Sequence, residues 1–398
     1  MERFDVAVIG AGIVGLAVAY RLTKRFPGRS IVVLEREPAI AQLQTGQSSG
    51  VIHSGLFSTP GSLKAALCGR GRRALLEFCE AHRIPHRMSG KLIVAATPRE
   101  VETLDPLHRR GVANGIDCRM IEAEEIASIE PHARGLGAIH VRDTGVVDFR
   151  HVAQRLADRS TSRGARIVAG APVTAIRTED TSVVLDTAKG EFLVGGFIAC
   201  AGMHADTIAR LCGADTGITI APFRGDFFRL RIEAEQHVRS MIYPVPCAHF
   251  PFLGPHLTRK ADGSVEAGPN ARLTWCRAGR GLDIRETLSR LGTPGFPALA
   301  ARMAIPRSGE SWRARGKKGY ARALRRLVPA ISAKDFTDHR FGVRAHAVGR
   351  DGSLIDDFLM VDHARSVHVM NAPSPAATAS LALADAAIDR LARVLDWT

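Results

Sequence analysis

A chain of 398 residues, 45 % of them hydrophobic, can bury two or three packed cores, and no apolar run reaches the ~20 residues of a membrane-spanning helix. Basic residues outnumber acidic ones by 54 to 40, a net charge of +14, which admits nucleic acid, an anionic membrane surface or an acidic substrate as a partner, although arginine on solvated faces accounts for most of the excess. The seven cysteines (Cys68, Cys79, Cys118, Cys200, Cys212, Cys247, Cys276) are odd in number and scattered, with no Cys-x-x-Cys and no Cys/His ligand cluster, so they read as reduced thiols of a cytoplasmic protein with no metal site.

The chain opens on a strand, Asp5 to Ile9, that runs into G-A-G-I-V-G at Gly10–Gly15 and then a helix. Gly10 allows the tight turn, Gly12 lets backbone approach a pyrophosphate, and Gly15 lets the helix press on the sheet. Ile13 and Val14 begin the helix, whose N-terminal amides suit phosphate. A second apolar strand, Ser30 to Leu34, ends in Glu35, twenty residues past Gly15, where a carboxylate meets ribose hydroxyls. Together these elements make a dinucleotide site. The apolar stretch Val6–Tyr20 is too short to span a membrane and lacks a small-residue cleavage site, which sets aside a targeting segment.

Hydroxyls and glycines crowd Gln44 to Gly55, a loop suited to passing phosphates, with Thr45, Ser48 and Ser49 as contacts. A helix follows over Ser62–His82, then a strand over Lys91–Ala96, a small acidic helix over Glu122–Ile129, and a hairpin over Ala138–Val147 turning at Asp143-Thr144-Gly145. Phe149–Arg163 returns to helical spacing, followed by strands near Arg166–Val168, Ser182–Asp186 and Phe192–Cys200. The last of these ends in Ala201-Gly202 before a helix at Ala205–Leu211, a second strand–glycine–helix junction. Val173 and Gly202 are further candidates for cofactor contact.

From Phe223 to Phe341 alternating strands (Phe227–Ile232, Leu257–Arg259, Val265–Gly268) mix with Pro/Gly turns, as in an antiparallel sheet. Arg313–Arg326 carries seven Lys/Arg with Tyr320, Leu324, Leu327 and Val328 at helical spacing, a basic amphipathic helix with a solvated face or a membrane-surface contact. It offers too few exposed aromatics for a nucleic-acid module. Val367–Met370 is a last strand, and Asn371–Pro375 turns into the helix Ala376–Val394.

The fingerprint, Glu35, V-I-H-S-G (Val51–Gly55), T-P-G-S-L-K-A (Thr59–Ala65) and Ala201-Gly202 resemble the D-amino-acid-oxidase superfamily of FAD enzymes. Further stretches resemble its L-2-hydroxyglutarate oxidase/dehydrogenase family over nearly the whole chain. They are P-F-R-G-D-F-F-R-L (Pro222–Leu230), I-Y-P-V-P (Ile242–Pro246), P-F-L-G-P-H-L-T-R (Pro251–Arg259) and D-G-S-V-E-A-G-P-N-A (Asp262–Ala271). G-V-R-A (Gly342–Ala345), D-G-S-L-I-D-D-F (Asp351–Phe358) and N-A-P-S-P-A-A-T (Asn371–Thr378) complete the series. The resemblance implies an α/β protein with a Rossmann-like FAD-binding domain (1–85, 149–215, 345–398) and an α+β, mostly antiparallel substrate domain (86–148, 216–344).

It also implies oxidation of L-2-hydroxyglutarate to 2-oxoglutarate, with a hydride passing from C2 to flavin N5 and electrons leaving to oxygen or quinone, the latter suiting a peripheral place on the inner membrane face. Ser374, Pro375 and Ala376 would set a helix N-terminus at the flavin carbonyl. Arg344 would hold the C1 carboxylate, with Lys64, Arg259 and Arg224 as candidates for the distal one and Tyr243 beside them. His53 and His256 compete as base, and His346 is a third possibility on the strand face of Arg344. The sequence departs from relatives at Phe57 and Ser58 (usually tyrosines), at Pro255 and at His346, where an amide is typical. The alternatives are an amino-acid oxidase, for which a single arginine anchor would suffice, or a glycerol 3-phosphate dehydrogenase; the several Lys/Arg in these stretches favour a dianion.

Overall fold

Val6, Ala7, Val8 and Ile9 of the first strand, Glu2–Ile9, are all buried, as befits a parallel strand covered on both faces. This strand pairs in parallel with Ile31–Leu34 and Gly190–Ala199, and the sheet continues in parallel through Arg166–Val168 and Ser366–Asn371. Antiparallel additions bring it to eight strands, all beyond the flank of Gly190–Ala199 that faces away from the first strand: Val183–Thr187 and Val173–Thr178 at its first half, and Leu359–His363 outside Ser366–Asn371 at its second. The computed structural model describes residues 1–246, 252–279, 284–293, 295–304 and 315–397; Cys247, Pro251, Arg313 and the adjacent Trp312 lie outside the described residues.

The helices Ile13–Arg25, Leu63–Ala81, Phe149–Thr161 and Ala376–Val394 share one core on this sheet. Gly71 lets two of them touch, since a Cβ there would lie 2.5 Å from Ala379 Cα. Ser62 caps the second helix through Ala65 N at 3.1 Å.

A nine-stranded sheet forms the other layer. Its path runs Arg272–Leu273, Thr219–Leu230, Val265–Ala267, Leu257–Arg259, Met241–Pro244, Lys91–Ala95, Gly137–Val141 and Cys118–Glu122, with Phe336–Val348 paired along Thr219–Leu230. All its pairs are antiparallel except Met241–Pro244 with Lys91–Ala95. The strand Phe336–Val348 runs unbroken through residue 345, so a division of the chain at that position cuts a strand.

The expected hairpin over Ala138–Val147 does not form. Gly137–Val141 belongs to the nine-stranded sheet, whereas Gly145–Val147 pairs with Val51–Ile52 and His86–Arg87 in a small third sheet. Arg72 grips the carbonyl and the carboxylate of Asp143 at 2.8 Å each, and Gly90 N donates to Thr144 O at 2.9 Å. These contacts pull the turn away from its own strand and hand the chain to the next sheet.

The basic segment forms a helix over Gly316–Leu324 whose apolar stripe is already spent. Tyr320, Ala321 and Leu324, with Leu327 and Val328 beyond it, are buried in the core of the nine-stranded sheet, while Arg315, Lys317 and Lys318 face solvent. Among the described residues no helix is long and apolar enough to cross a membrane.

Candidate active site

A cavity of about 1010 Å³ runs between the two large sheets. Its first end is the glycine turn. Gly10 has φ +105°, and a Cβ there would sit 2.5 Å from Cys200 O; a Cβ on Gly15 would sit 1.9 Å from Gly10 O. Both positions therefore exclude any side chain. Gly12 differs: a Cβ there would meet only Thr45 Oγ1, at 3.4 Å, so open space lies before the helix start where a pyrophosphate fits. Glu35 accepts from Ala11 N at 2.6 Å and Glu37 N at 2.9 Å, and Thr45 Oγ1 accepts from Ile13 N at 2.9 Å. Ile13, Val14, Ser48, Ser49, Val173 and Gly202 also line this part of the cavity.

The loop after Glu35 is tied to the opposite sheet. Lys260 Nζ donates to Ser49 O at 2.8 Å, and Arg340 donates to Gln47 O at 3.0 Å and Ser48 O at 3.2 Å while pairing with Glu266. Gln47 Oε1 accepts from Val343 N at 3.1 Å, Gln44 Oε1 from Ala345 N at 2.9 Å, and Asn371 Oδ1 from Ala347 N at 3.0 Å. Three side-chain amides thus occupy alternate N–H groups along the Arg344 strand.

The C-terminal helix starts at the cavity wall, with Ser374, Pro375, Ala376 and Ala377 all lining it. Of the two amides expected to face the flavin carbonyl, those of Ser374 and Ala376, the second is spent on Pro373 O at 2.9 Å. Ala377, next along the helix, is one of the lining residues that sequence reading missed.

At the far end the sheet floor supplies Lys91, Tyr243, His256, Arg344 and His346, and the loop above supplies His53. Arg344 makes no ion pair or hydrogen bond with any described residue, and burial pushes its pKa down. His256 Nδ1 lies 3.0 Å from Gly254 O, an acceptor only, so Nδ1 carries the proton and Nε2 keeps its lone pair. The His256 ring lies 3.9 Å from that of Tyr243. His53 Nε2 lies 3.3 Å from Ser374 Oγ. Burial, with Arg344 and Lys91 adding, pushes His256 down to about 3; burial, Lys91, His256 and Arg344 do the same to His53. His346, edge-on to Phe223 and Phe252, is also held at about 3 by burial, then by Arg344 and Lys64.

Two expected cations lie elsewhere. Arg259 donates to the carbonyls of Val238, Gly263 and Glu235 at 2.8, 2.6 and 2.5 Å, off the cavity lining, because its strand turns it toward a loop rich in carbonyl ends. Arg224 pairs with Asp226 at 2.8 Å, stacks 4.0 Å over Phe341 and is likewise outside the lining. Lys64 does reach the cavity, but its ammonium is taken by Asp356 at 2.7 Å. Of the departures, Phe57, Ser58 and His346 line the cavity and Pro255 does not. Lys91 was missed; its one sequence signal is a lone lysine opening an apolar strand. Glu102, Thr103 and Arg110, from a helical segment that sequence reading did not resolve, close the rim.

The profile of the family described as FAD dependent oxidoreductase (DAO) matches residues 5–390. The L-2-hydroxyglutarate dehydrogenase of Escherichia coli (strain K12) is 41 % identical over 382 residues, 95 % of this chain and 90 % of that protein. That of Indibacter alkaliphilus is 40 % identical over 385 residues, 96 % of each. Among solved structures, dithionite-reduced L-alpha-glycerophosphate oxidase from Mycoplasma pneumoniae with FAD bound is similar at a TM-score of 0.81 and 25 % identity, over 100 % of this chain and 96 % of that one.

Proposed function

The chain belongs to the FAD dependent oxidoreductase (DAO) family, and from that premise we propose that it oxidises L-2-hydroxyglutarate to 2-oxoglutarate. The observation that carries the reading is Arg344, a guanidinium with no ion pair among the described residues, facing the cavity that begins at the nucleotide cradle. The open space before Gly12, the Glu35 carboxylate and the start of the C-terminal helix fit an extended FAD, held by Gly10–Gly15, Glu35, Thr45, Ser48, Ser49, Val173, Gly202 and Ser374–Ala377. Bound there, FAD supplies the acceptor for the C2 hydride.

The chain's own residues do the rest. Arg344 grips the C1 carboxylate with its planar fork and so fixes C2. His256 Nε2 takes the hydroxyl proton as the C2–O bond becomes a carbonyl. Burial first, and the two cations after it, keep it neutral at pH 7 with its lone pair free, and the incoming carboxylates raise its proton affinity by offsetting those cations. His53, beside Ser374, orients the hydroxyl from the other side. Tyr243 and His346 wall the site and exclude water. Electrons leave to oxygen or to a quinone. The exposed basic face of the Gly316–Leu324 helix supports a peripheral membrane contact, and sedimentation with anionic liposomes checks it.

A second reading, oxidation of glycerol 3-phosphate, is favoured by the likeness to L-alpha-glycerophosphate oxidase. Anaerobic bleaching of the flavin separates the two. L-2-hydroxyglutarate should bleach it and the D-enantiomer should not; bleaching by glycerol 3-phosphate or glycine with no response to L-2-hydroxyglutarate overturns the proposal.

A further inference from the structure

Lys91 opens the strand Lys91–Ala95, all five residues of which are buried. A buried lysine is ordinarily paired. Among the described residues Lys91 Nζ makes no ion pair and no hydrogen bond. Its neighbours are two aromatic faces, Phe57 and Tyr243, each 4.9 Å from the ammonium to the ring centroid. It lines the cavity, whereas Lys64, the other lysine there, is already neutralised by Asp356. A cation built into a dry floor without a partner among the described residues implies a partner that arrives with the ligand.

The sheet order says which part of the ligand. From one side to the other the strands run Phe336–Val348, Thr219–Leu230, Val265–Ala267, Leu257–Arg259, Met241–Pro244 and Lys91–Ala95. Arg344 and Lys91 therefore approach the Tyr243–His256 ring pair from opposite directions. Both cations lie within electrostatic reach of His53 and of His256. A ligand with its reacting carbon at the histidines and one carboxylate on Arg344 points its remaining end at Lys91. Phe57 adds a ring and no hydroxyl there.

We propose that Lys91 is the specificity-determining residue, binding the distal carboxylate and selecting dicarboxylic over monocarboxylic 2-hydroxy acids. This rests on the activity proposed above and names the group that sets its substrate class. Lys64, Arg259 and Arg224 are left to structural ion pairs and carbonyl contacts.

The test uses holoenzyme, wild type and two variants, Lys91→Met and Lys91→Arg, with FAD content as the check on folding. Met is unbranched and one heavy atom shorter than lysine, and it removes a buried charge. Binding is measured calorimetrically with two redox-inert acids of equal length, glutarate and pentanoate; turnover is measured with L-2-hydroxyglutarate and 2-hydroxypentanoate. Lys91→Met should weaken glutarate by about 10- to 100-fold and leave pentanoate unchanged or tighter, with the turnover preference falling in parallel. Lys91→Arg should retain part of the preference. Glutarate binding within about threefold of wild type in Lys91→Met overturns the proposal whatever the activity. If wild type turns over neither hydroxy acid yet binds glutarate through Lys91, the proposed activity falls and the distal carboxylate site stands.

Discussion

Replacing Arg344 by methionine should have opposite effects on catalysis and on stability. The guanidinium has no ion pair or hydrogen bond with a described residue, so its removal orphans no acceptor, and the kinetic loss reports the substrate contact alone. Two charge-assisted hydrogen bonds at about 1.5–3 kcal/mol each give about 3–6 kcal/mol, or ~10²–10⁴ in kcat/KM for L-2-hydroxyglutarate. Arg344→Lys keeps the charge but loses the fork, and should fall between the two. The free enzyme meanwhile sheds a desolvated charge, which burial already disfavours, so its thermal midpoint should rise. Anaerobic stopped-flow flavin reduction measures the first effect and calorimetry without substrate the second. A kcat/KM within about fivefold of wild type, or a lowered midpoint, refutes the reasoning.

Two further outcomes are expected. Gly12→Ala should lower FAD content with little change in the apoprotein midpoint, since its Cβ meets only Thr45 Oγ1 at 3.4 Å. Gly15→Ala should lower the midpoint itself, its Cβ falling 1.9 Å from Gly10 O; FAD-to-protein ratio and apoprotein melting distinguish them. Burial holds His256 and His346 near 3 and His368 near 4, against an ordinary 6.5. The folded state then binds fewer protons than the unfolded chain between those values. Stability should hold above about pH 6.5 and fall below it by up to about 1.4 kcal/mol per pH unit for each histidine. Denaturant midpoints flat across that range would contradict the burial.

What could be read from sequence was local physics. Gly10, Gly12, Gly15 and Glu35 carry their meaning in their spacing, and the helix Ala205–Leu211 and the strand Leu257–Arg259 occur at the residues expected. Arg259 and Arg224 were misjudged because their partners, backbone carbonyls and Asp226, are set by tertiary packing that a motif does not encode. The Lys64–Asp356 pair joins residues far apart in sequence, and the Asp143 turn is redirected by Arg72 from a different helix. Lys91 was invisible for the opposite reason. It has no ion pair or hydrogen bond among the described residues, and only the cavity around it gives the charge a purpose.

The amide carbonyls of Gln47, Gln44 and Asn371 on alternate N–H groups of Phe336–Val348 have a consequence of another kind. One flank of that strand is paired to Thr219–Leu230; the other would be an open edge, the sort that recruits a strand from a second molecule. Side chains seal it in place of a neighbouring strand, and two of the three seals belong to the loop that passes the nucleotide cradle. Unseating that loop would therefore bare the N–H groups of Val343 and Ala345 as well as disturb the cradle.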